Sequence, residues 1–180
     1  MTLETWLTLA AILALLVLSF MFSGSETGMT TASRARLHAL SAGGNSRAHL
    51  VERLIERKDR LVGALLIGNN LVNILASALA TSLLLDLFGQ SGVVYATIAM
   101  TVIVVVFAEI LPKSWALARP EPFALFVAPF VRMVVFLFGG LSSVVNWLVR
   151  GLLSIFGLNL ASGASMLSAH EELRGTVAVL

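Results

Sequence analysis

A single carboxylate, that of Glu109, lies near the end of a long uncharged stretch. No Asp, Glu, Lys or Arg occurs between Asp86 and Glu109, and Pro112 and Lys113 follow shortly after it. An ionised carboxylate in hydrocarbon costs about 3 kcal/mol on insertion scales, so it is normally found facing a partner, a bound cation or a water-filled cavity. We therefore expect Glu109 to have one of these three roles.

Two further polar clusters interrupt apolar stretches. Residues 23–27 read Ser-Gly-Ser-Glu-Thr, and residues 68–73 read Gly-Asn-Asn-Leu-Val-Asn. Their hydroxyl and amide oxygens, together with the carboxylate of Glu109, are hard donors that suit Mg²⁺ and Ca²⁺ better than softer transition metals. The sequence thus predicts a divalent cation site. Its predicted ligands are Ser23, Ser25, Asn70 and Glu109, with backbone carbonyls near Gly24 or Gly68 completing the shell.

These clusters are predicted to lie at similar depths in a membrane. Counted from the next basic residue at 1.5 Å per helical residue, Ser23 and Ser25 lie about 13 to 16 Å below the surface, and Asn70 is about as deep. Glu109 is predicted to lie somewhat nearer the surface, because Lys113 follows it by one helical turn. Polar groups are costly inside a membrane, so three such clusters at similar depth indicate one shared site more readily than three separate ones.

Each cluster also has a structural alternative. Serines in membrane helices bond to their own backbone or help helices pack, and Gly24 and Gly28 have the spacing of a close-approach seam. The asparagines are candidates for hydrogen bonds between helices, and Glu109 for an ion pair with Lys113 one turn later. Glu26 is either a structural residue or a second carboxylate of the site.

Composition indicates an integral membrane protein. Of the 180 residues, 58% are hydrophobic and 12% are charged, with a mean hydropathy of +0.93, whereas charged residues make up about 25% of an ordinary soluble chain. The length suits one membrane domain of about three or four spans. The formal net charge of +2 is too small to indicate nucleic-acid binding.

The sequence contains no pattern typical of catalysis. It has no cysteine for a disulfide or a thiolate metal site, and its histidines lack the spacing of metal ligands. No Ser-His-Asp arrangement, phosphate-binding glycine loop or dinucleotide-binding motif occurs in a suitable context. We therefore expect a protein that is not an enzyme.

Charged residues divide the apolar sequence into three predicted transmembrane helices, at about residues 4–32, 61–85 and 93–112. The loop at 34–60 holds more than half of all Lys and Arg, which places it in the cytoplasm by the positive-inside rule. The N-terminus is then outside, residues 86–92 form an outer turn, and the C-terminus is cytoplasmic. Apolar residues at helical spacing predict helices at the inner surface within 34–60.

The apolar part after the third span is interrupted by charge. Arg132 lies inside residues 120–155, and Lys113, Arg119 and Arg150 also favour the cytoplasmic face. A belt-like helix or a hairpin at the inner surface is therefore expected, with a full fourth span as the alternative. Residues 1–155 form the predicted transmembrane domain, and 156–180 a linker and the start of a helix leading to a missing cytoplasmic region.

Three segments carry a family resemblance. Residues 22–27 (Phe-Ser-Gly-Ser-Glu-Thr), 67–74 (Ile-Gly-Asn-Asn-Leu-Val-Asn-Ile) and 109–113 (Glu-Ile-Leu-Pro-Lys) resemble the signature segments of the CorC/CNNM family of magnesium transporters. The resemblance implies a dimeric membrane domain of three transmembrane helices and a juxtamembrane belt helix. It further implies export of Mg²⁺ with Na⁺ as counter-ion, and a tail that leads into a pair of cytoplasmic CBS domains that bind ATP, absent from this sequence.

Two functions are compatible with these patterns. The first is a transporter of a divalent cation in the cell membrane, and the second is a membrane anchor or sensor for a cytoplasmic regulatory region. The oxygen cluster favours the transporter, because an anchor does not need it. A homodimer is expected from the resemblance and from small or polar residues in the spans, such as Gly63, Ser77 and Ser82, which permit close helix packing.

Overall fold

The computed structural model describes residues 3–155 of the chain, apart from the side chains of residues 146, 153 and 154. Every regular element in these residues is a helix. The α-helices are α1 (Leu3–Thr31), α2 (Arg34–Ala42), α3 (Ser46–Glu56), α4 (Lys58–Phe88), α5 (Gly92–Ile103), α6 (Leu111–Ala118) and α7 (Pro120–Ile155). A 3₁₀ turn at Gly89–Ser91 joins α4 to α5, and a π-helical segment at Val104–Ile110 joins α5 to α6. The predicted linker at 156–180 lies outside the described residues.

The first helix, α1, is uncharged over most of its length. It has 29 residues, with Glu4 in its first turn, where a carboxylate offsets the positive end of the helix dipole. At 1.5 Å per residue it is roughly 43 Å long, more than the hydrocarbon thickness of about 30 Å. It confirms the first predicted span.

Two short helices lie at what we call the basic end of the molecule, the end where α1 stops at Thr31 and α4 begins at Lys58. Ser33 caps α2, and Asn45 caps α3 by accepting hydrogen bonds from two backbone N–H groups at 3.0 and 3.2 Å. Gly44, with φ of 89°, supplies the left-handed turn between the two helices. The predicted surface helices in 34–60 are therefore present.

A carboxylate links these two helices. The Ser41 hydroxyl and the His38 ring hold the pKa of the Glu52 carboxyl below its ordinary value, and His38 Nδ1 lies 3.1 Å from Glu52 Oε1. Because the folded-state pKa is lowered, this contribution to stability is present above the unfolded-state pKa. It is lost as the pH falls through the folded-state pKa.

The helices α4 and α5 form a tight hairpin at the opposite end. Gly89 has φ of 61°, and a side chain at Gly92 would collide with the Leu84 carbonyl, so the hairpin requires glycine at both positions. The rings of Phe88 and Tyr95 pack edge to face across it, with centroids 5.6 Å apart. A buried cluster then joins α1, α4 and α5, through Ile12, Ala76, Ala80 and Met100.

The last helix, α7, is continuous over 36 residues although it contains Pro129. Of the two forms expected for 120–155, the single helix is present and the hairpin is not. The chain separates into two compact units, Met1–Ser142 and Ser143–Leu180, and the contacts of α7 described here belong to the first. One face of the helix is buried in the main core, through Phe123, Ala124, Val127, Ala128, Val131 and Val134.

The contacts of α7 keep its first part near the basic end. Phe123 packs on Gly28, three residues before α1 ends, and Gly139 packs on Arg60, two residues after α4 begins. These contacts are separated by roughly 24 Å of helix, yet both lie at the same end of the bundle. Arg132, between them, is exposed. The arrangement favours the belt, although length and composition alone would let α7 cross a membrane.

The protein is a multi-pass membrane protein. By length and composition, three helical stretches of the described chain can cross a bilayer: Leu3–Thr31, Lys58–Ala118 and Pro120–Leu152. The second, of 61 residues, is the α4–α6 hairpin and includes two of the predicted spans. The helix of the third predicted span continues past residue 112, since α6 extends to Ala118 before Arg119 breaks the helix.

Candidate functional site

Contacts between α1 and α4 define which residues lie at the same level. The ring of Phe22 lies against Gly68, which has no room for a side chain. One turn away, Ser19 contacts Asn69 and Asn73. Since the helices are antiparallel, each step along α1 towards the basic end corresponds to one step back along α4. Ser23 and Ser25 therefore lie nearer the basic end than Asn69.

Contacts between α1 and α6 show which level of α1 Glu109 lies at. A methyl group built on Gly24 would lie 3.3 Å from Pro112 Cβ, and one on Gly28 would lie 3.7 Å from Ala116 Cβ. These helices run in the same direction, so Glu109, three residues before Pro112, is level with residue 21 of α1. By the α1–α4 contacts, that is also the level of Asn69.

The depth predicted for Glu109 from sequence is therefore wrong. It was placed nearer the surface than Ser23 and Ser25, whereas the helix contacts place it deeper, by roughly 3 Å and 6 Å. The expected depth relied on Lys113 marking the membrane boundary, but Lys113 lies within α6, which continues to Ala118. The candidate oxygens still lie within about two helical turns of one another.

Glu109 belongs to the π-helical segment. The last hydrogen bond of this segment runs from the backbone N–H of Leu111 to the carbonyl of Val106, five residues back. Pro112 has no N–H, so a carbonyl one turn earlier loses its normal donor. π-Helical turns are frequent at functional sites, and this one leaves a backbone oxygen close in sequence to the Glu109 carboxylate.

Two buried hydroxyls of α1 lack hydrogen-bond partners. Ser23 and Ser25 are both fully buried, and neither Oγ atom has a partner within the described part of the chain. By contrast, Thr30 and Thr31 in the same helix donate to backbone carbonyls one turn back, each at 2.7 Å. The backbone-bonded alternative for the two serines is therefore not formed. A buried hydroxyl without a partner costs about 1 to 3 kcal/mol.

The expected alternative of hydrogen bonds between helices is confirmed for two asparagines, Asn69 and Asn73, whose partner Ser19 was not among the predicted residues. The Oγ of Ser19, itself buried, lies 3.0 Å from Asn69 Oδ1 and 2.6 Å from Asn73 Oδ1. Since a hydroxyl has one proton, it donates to one amide and accepts from the other when that amide is turned. The signal in the sequence was the spacing of four between Ser19 and Ser23 and between Asn69 and Asn73.

The other predicted ligands have different surroundings. Asn70 is exposed on α4 and forms no hydrogen bond with another described residue. Gly24 and Gly68 are packing positions, because a side chain on either would collide with the ring of Phe123 or Phe22 respectively. The structure therefore brings Ser23, Ser25 and Glu109 to neighbouring levels of one bundle but does not turn Asn70 towards α1.

Few charged groups lie near these residues. Glu109 and Glu26 are half-buried, and Lys113 is exposed. The expected alternative of a Glu109–Lys113 ion pair is not formed, since the ion pairs of the described residues are Arg36–Glu121 and His38–Glu52. Within residues 3–155 no three His, Cys, Asp or Glu side chains cluster. A cation here would therefore rely largely on neutral oxygens.

Comparison with known proteins agrees with this architecture. Residues 10–179 match the model of the family described as "Cyclin M transmembrane N-terminal domain". The UPF0053 inner membrane protein YfjD of Escherichia coli is 42% identical over 89% of this chain and 37% of its own length. A UPF0053 protein of Haemophilus influenzae is 41% identical over 90% of this chain and 38% of its own length.

A more distant relative has a functional name. The "Polyamine export protein" of Haemophilus influenzae is 27% identical over 77% of this chain and 35% of its own length. The chain spans less than two fifths of the length of these curated relatives. The family match covers nearly all of the described helices, including the serines of α1, the asparagines of α4 and Glu109. The chain therefore belongs to the cyclin M (CNNM) transmembrane domain family.

Proposed function

We propose that this chain is the membrane part of a cation transporter that exports Mg²⁺, with Na⁺ as the counter-ion. The ion is held between α1, α4 and the π-helical segment, by hydroxyl oxygens of Ser23 or Ser25, an asparagine amide oxygen of α4 and the Glu109 carboxylate. The functional unit is a homodimer in the cell membrane, with its basic end in the cytoplasm.

One observation carries this proposal: the hydroxyls of Ser23 and Ser25 are fully buried and unpaired, within about 6 Å in depth of Glu109. Other hydroxyls of α1 have partners, backbone carbonyls for Thr30 and Thr31 and asparagine amides for Ser19, so packing alone does not account for these two. A cation with a hydration shell would satisfy the serine oxygens and offset the charge of Glu109 together.

The donor set suits a transported ion. Mg²⁺ takes oxygens near 2.1 Å in octahedral geometry, gives up water reluctantly and is commonly bound through one or two carboxylates. Glu109, with Glu26 as a second carboxylate, matches that number. The backbone carbonyl left without a donor by Pro112 adds a neutral oxygen. Such a site binds modestly, as release on the other side of the membrane requires.

The asparagine ligand is the part of the site that the geometry supports least. Asn70 is exposed in the single chain, whereas Asn69 and Asn73 face α1. Asn70 serves as a ligand if α4 rotates or if a second subunit covers this face. Comparing Asn70→Ala with Asn69→Ala in Mg²⁺ binding assigns the ligand, because only one of the two contacts the ion directly.

The decisive experiment measures binding and flux in parallel. A specific ligand stabilises the state that it binds, so Mg²⁺ should raise the melting temperature of the detergent-solubilised chain, and Glu109→Gln should abolish the increase. In liposomes with controlled Mg²⁺ and Na⁺ gradients, the same variant should lower Mg²⁺ flux at least about tenfold, since charge compensation is lost. Glu4→Gln, an exposed carboxylate of the same helix bundle, is the matched control and should retain both properties.

The outcomes separate the alternatives. Normal Mg²⁺ protection and flux in folded Glu109→Gln would contradict the proposed site. No Mg²⁺ effect on the unmodified chain in either assay would favour the anchor or sensor function. Stabilisation by spermidine but not by Mg²⁺ would indicate an organic polycation as cargo, consistent with the name of the Haemophilus influenzae relative.

A further inference from the structure

A second polar feature lies at the basic end, away from the proposed cation site. A cavity of about 320 Å³ opens between α3, the beginning of α4 and α7. Its lining residues are Arg53, Leu54, Glu56, Arg57, Arg60 and Val135. By the volume of liquid water, about 30 Å³ per molecule, it has room for roughly ten waters or for a phosphate group with a few of them.

The charges around this cavity are unbalanced. Three arginines face one carboxylate, Glu56, and none of the three forms an ion pair with another described residue. The Nε atom of Arg60 is buried without an acceptor, where the guanidinium packs on Gly139. A buried donor with no acceptor is unfavourable. An anion in the cavity would complete its hydrogen bonding.

The beginning of α4 adds to the positive potential. Its N-cap residue, Arg57, makes no side-chain capping hydrogen bond, unlike Ser33 and Asn45 at α2 and α3. The first N–H groups of a helix lack intrahelical acceptors, and the dipole of a long helix is positive at this end. Phosphate groups bind readily at such helix ends, and here arginines and an open cavity accompany the uncapped end.

The position of the cavity favours a lipid as the source of the phosphate. Arg60 directly precedes the uncharged part of α4, and Leu54 and Val135 give the cavity apolar walls. Next to Val135, Phe136 is 83% exposed and Leu137 is 61% exposed. In a membrane these side chains face acyl chains. The cavity therefore lies where a headgroup and its chains meet a protein surface.

We propose that this cavity binds the phosphate of an anionic phospholipid, with Arg53, Arg57 and Arg60 as its donors. Arginine suits this role because its planar guanidinium presents several N–H groups to phosphate oxygens. Basic pockets beside membrane helices are a known setting for anionic headgroups. The bound lipid joins α3, α4 and α7, so it also holds the belt helix on the bundle. The proposal does not depend on which cation the protein transports.

The experiment must distinguish specific binding of a headgroup in the cavity from the general attraction between a basic surface and anionic lipid. The 180-residue chain in neutral detergent is titrated with phosphatidylglycerol, and bound lipid is counted by native mass spectrometry. The double variant Arg53→Gln/Arg57→Gln removes two cavity donors. The double variant Arg47→Gln/Arg119→Gln removes the same charge from two exposed positions at the same end of the protein, neither of which lines this cavity. Melting temperatures without lipid show which variants are folded.

The cavity variant should lose roughly 30-fold in apparent affinity, because each arginine at an anionic surface contributes about a fivefold factor. The control variant should lose about threefold or less, since neither of its arginines lines the cavity. Equal losses in the two variants would overturn the proposal and leave only the general surface potential. Phosphatidylcholine should compete poorly. Inorganic phosphate that displaces the lipid at equal concentration would show an anion site without lipid specificity and would also overturn it.

A further variant covers the case in which the cavity variant does not fold. Glu56→Gln removes the only carboxylate among the described residues that line the cavity, and Glu56 is exposed, so we expect the variant to fold. Phosphatidylglycerol should then bind a few times more tightly, because repulsion of the phosphate is removed. Unchanged or weaker binding by Glu56→Gln would contradict the proposed headgroup position.

Discussion

At the scale of single residues, hydroxyl groups of the same helix have different surroundings. Ser19 is paired with two asparagines, Thr30 and Thr31 are paired with backbone carbonyls, and Ser23 and Ser25 have no partner among the described residues. The composition of the segment does not distinguish these cases, because each depends on whether the hydroxyl meets its own backbone, a side chain of a neighbouring helix or neither. Ser23 and Ser25 are therefore the residues at which effects on function and effects on stability can best be compared.

Ser23→Ala should have opposite effects with and without Mg²⁺. Without the ion it removes an unpaired buried hydroxyl, so the melting temperature should rise, by about 2 to 4 °C for each kcal/mol gained. With saturating Mg²⁺ the increase seen in the unmodified chain should shrink. Thermal unfolding in detergent measures both, with the exposed Ser82→Ala as control. A loss of stability without Mg²⁺ would mean that the Ser23 hydroxyl has a structural partner.

Glu109 provides the second prediction at this scale. Glu109→Gln should abolish Mg²⁺ protection, whereas Ser25→Ala should only weaken it, because a neutral ligand contributes less than the charge that offsets a divalent cation. Isothermal titration of the purified variants ranks the two effects. A larger loss from Ser25→Ala would assign the main contribution to neutral ligands and would contradict the role given to Glu109.

At the scale of elements, the π-helical segment positions the carboxylate. It extends from Val104 to Ile110 and ends next to Pro112, whose missing N–H prevents regular α-helical bonding at that point. Moving from π to α spacing removes one residue from a turn, which rotates the preceding helix by about 100°. Glu109 would then face a different neighbour.

Pro112→Ala should therefore separate stability from transport. The alanine restores a backbone donor, so we expect an equal or higher melting temperature together with a Mg²⁺ flux lower by about tenfold or more, as misplaced catalytic or binding groups typically cause. Liposome flux and thermal unfolding of the same preparation give the comparison. Full flux in a stable Pro112→Ala variant would show that the π spacing is not needed for Glu109 to act.

At the scale of the whole molecule, the orientation rests on the charge distribution. The basic end carries most of the Lys and Arg residues, which favours a cytoplasmic location. Because the chain has no cysteine, single cysteines report their side cleanly. Asn45→Cys should react only from the cytoplasm, and Gln90→Cys only from outside. Ile155→Cys should be protected from outside reagents. Its labelling from outside alone would mean that α7 crosses the membrane.

The oligomeric state is the other prediction at this scale. Large apolar side chains such as Leu71 and Ile74 are exposed on α4 beside Asn70, and a second subunit on this face would shield the amide from lipid. Mild crosslinking in nanodiscs should therefore give a two-chain species, and Ile74→Cys should form a disulfide across the dimer. A clean monomer mass in both detergent and nanodiscs would contradict the dimer.

Several features follow from the sequence alone because they depend on local properties. Uncharged stretches of membrane length predict the spans, clustered Arg and Lys predict the basic end, and apolar residues at helical spacing predict helices within 34–60. The three signature segments also suffice for the family, which the comparison confirms. The selection of Ser23, Ser25 and Glu109 as candidates required only the presence of oxygen donors in apolar surroundings.

Relative depth and direction were decided only by tertiary contacts. Counting from the nearest charge placed Glu109 too near the surface, because Lys113 lies within α6, and the level of α6 is set by the contacts of Pro112 and Ala116 with α1. Likewise Asn69, Asn70 and Asn73 have the same chemistry, and only the position of α1 determines that two of them meet Ser19. The physical reason is that a helix fixes spacing along its own axis, whereas its rotation and level come from the side chains of its neighbours.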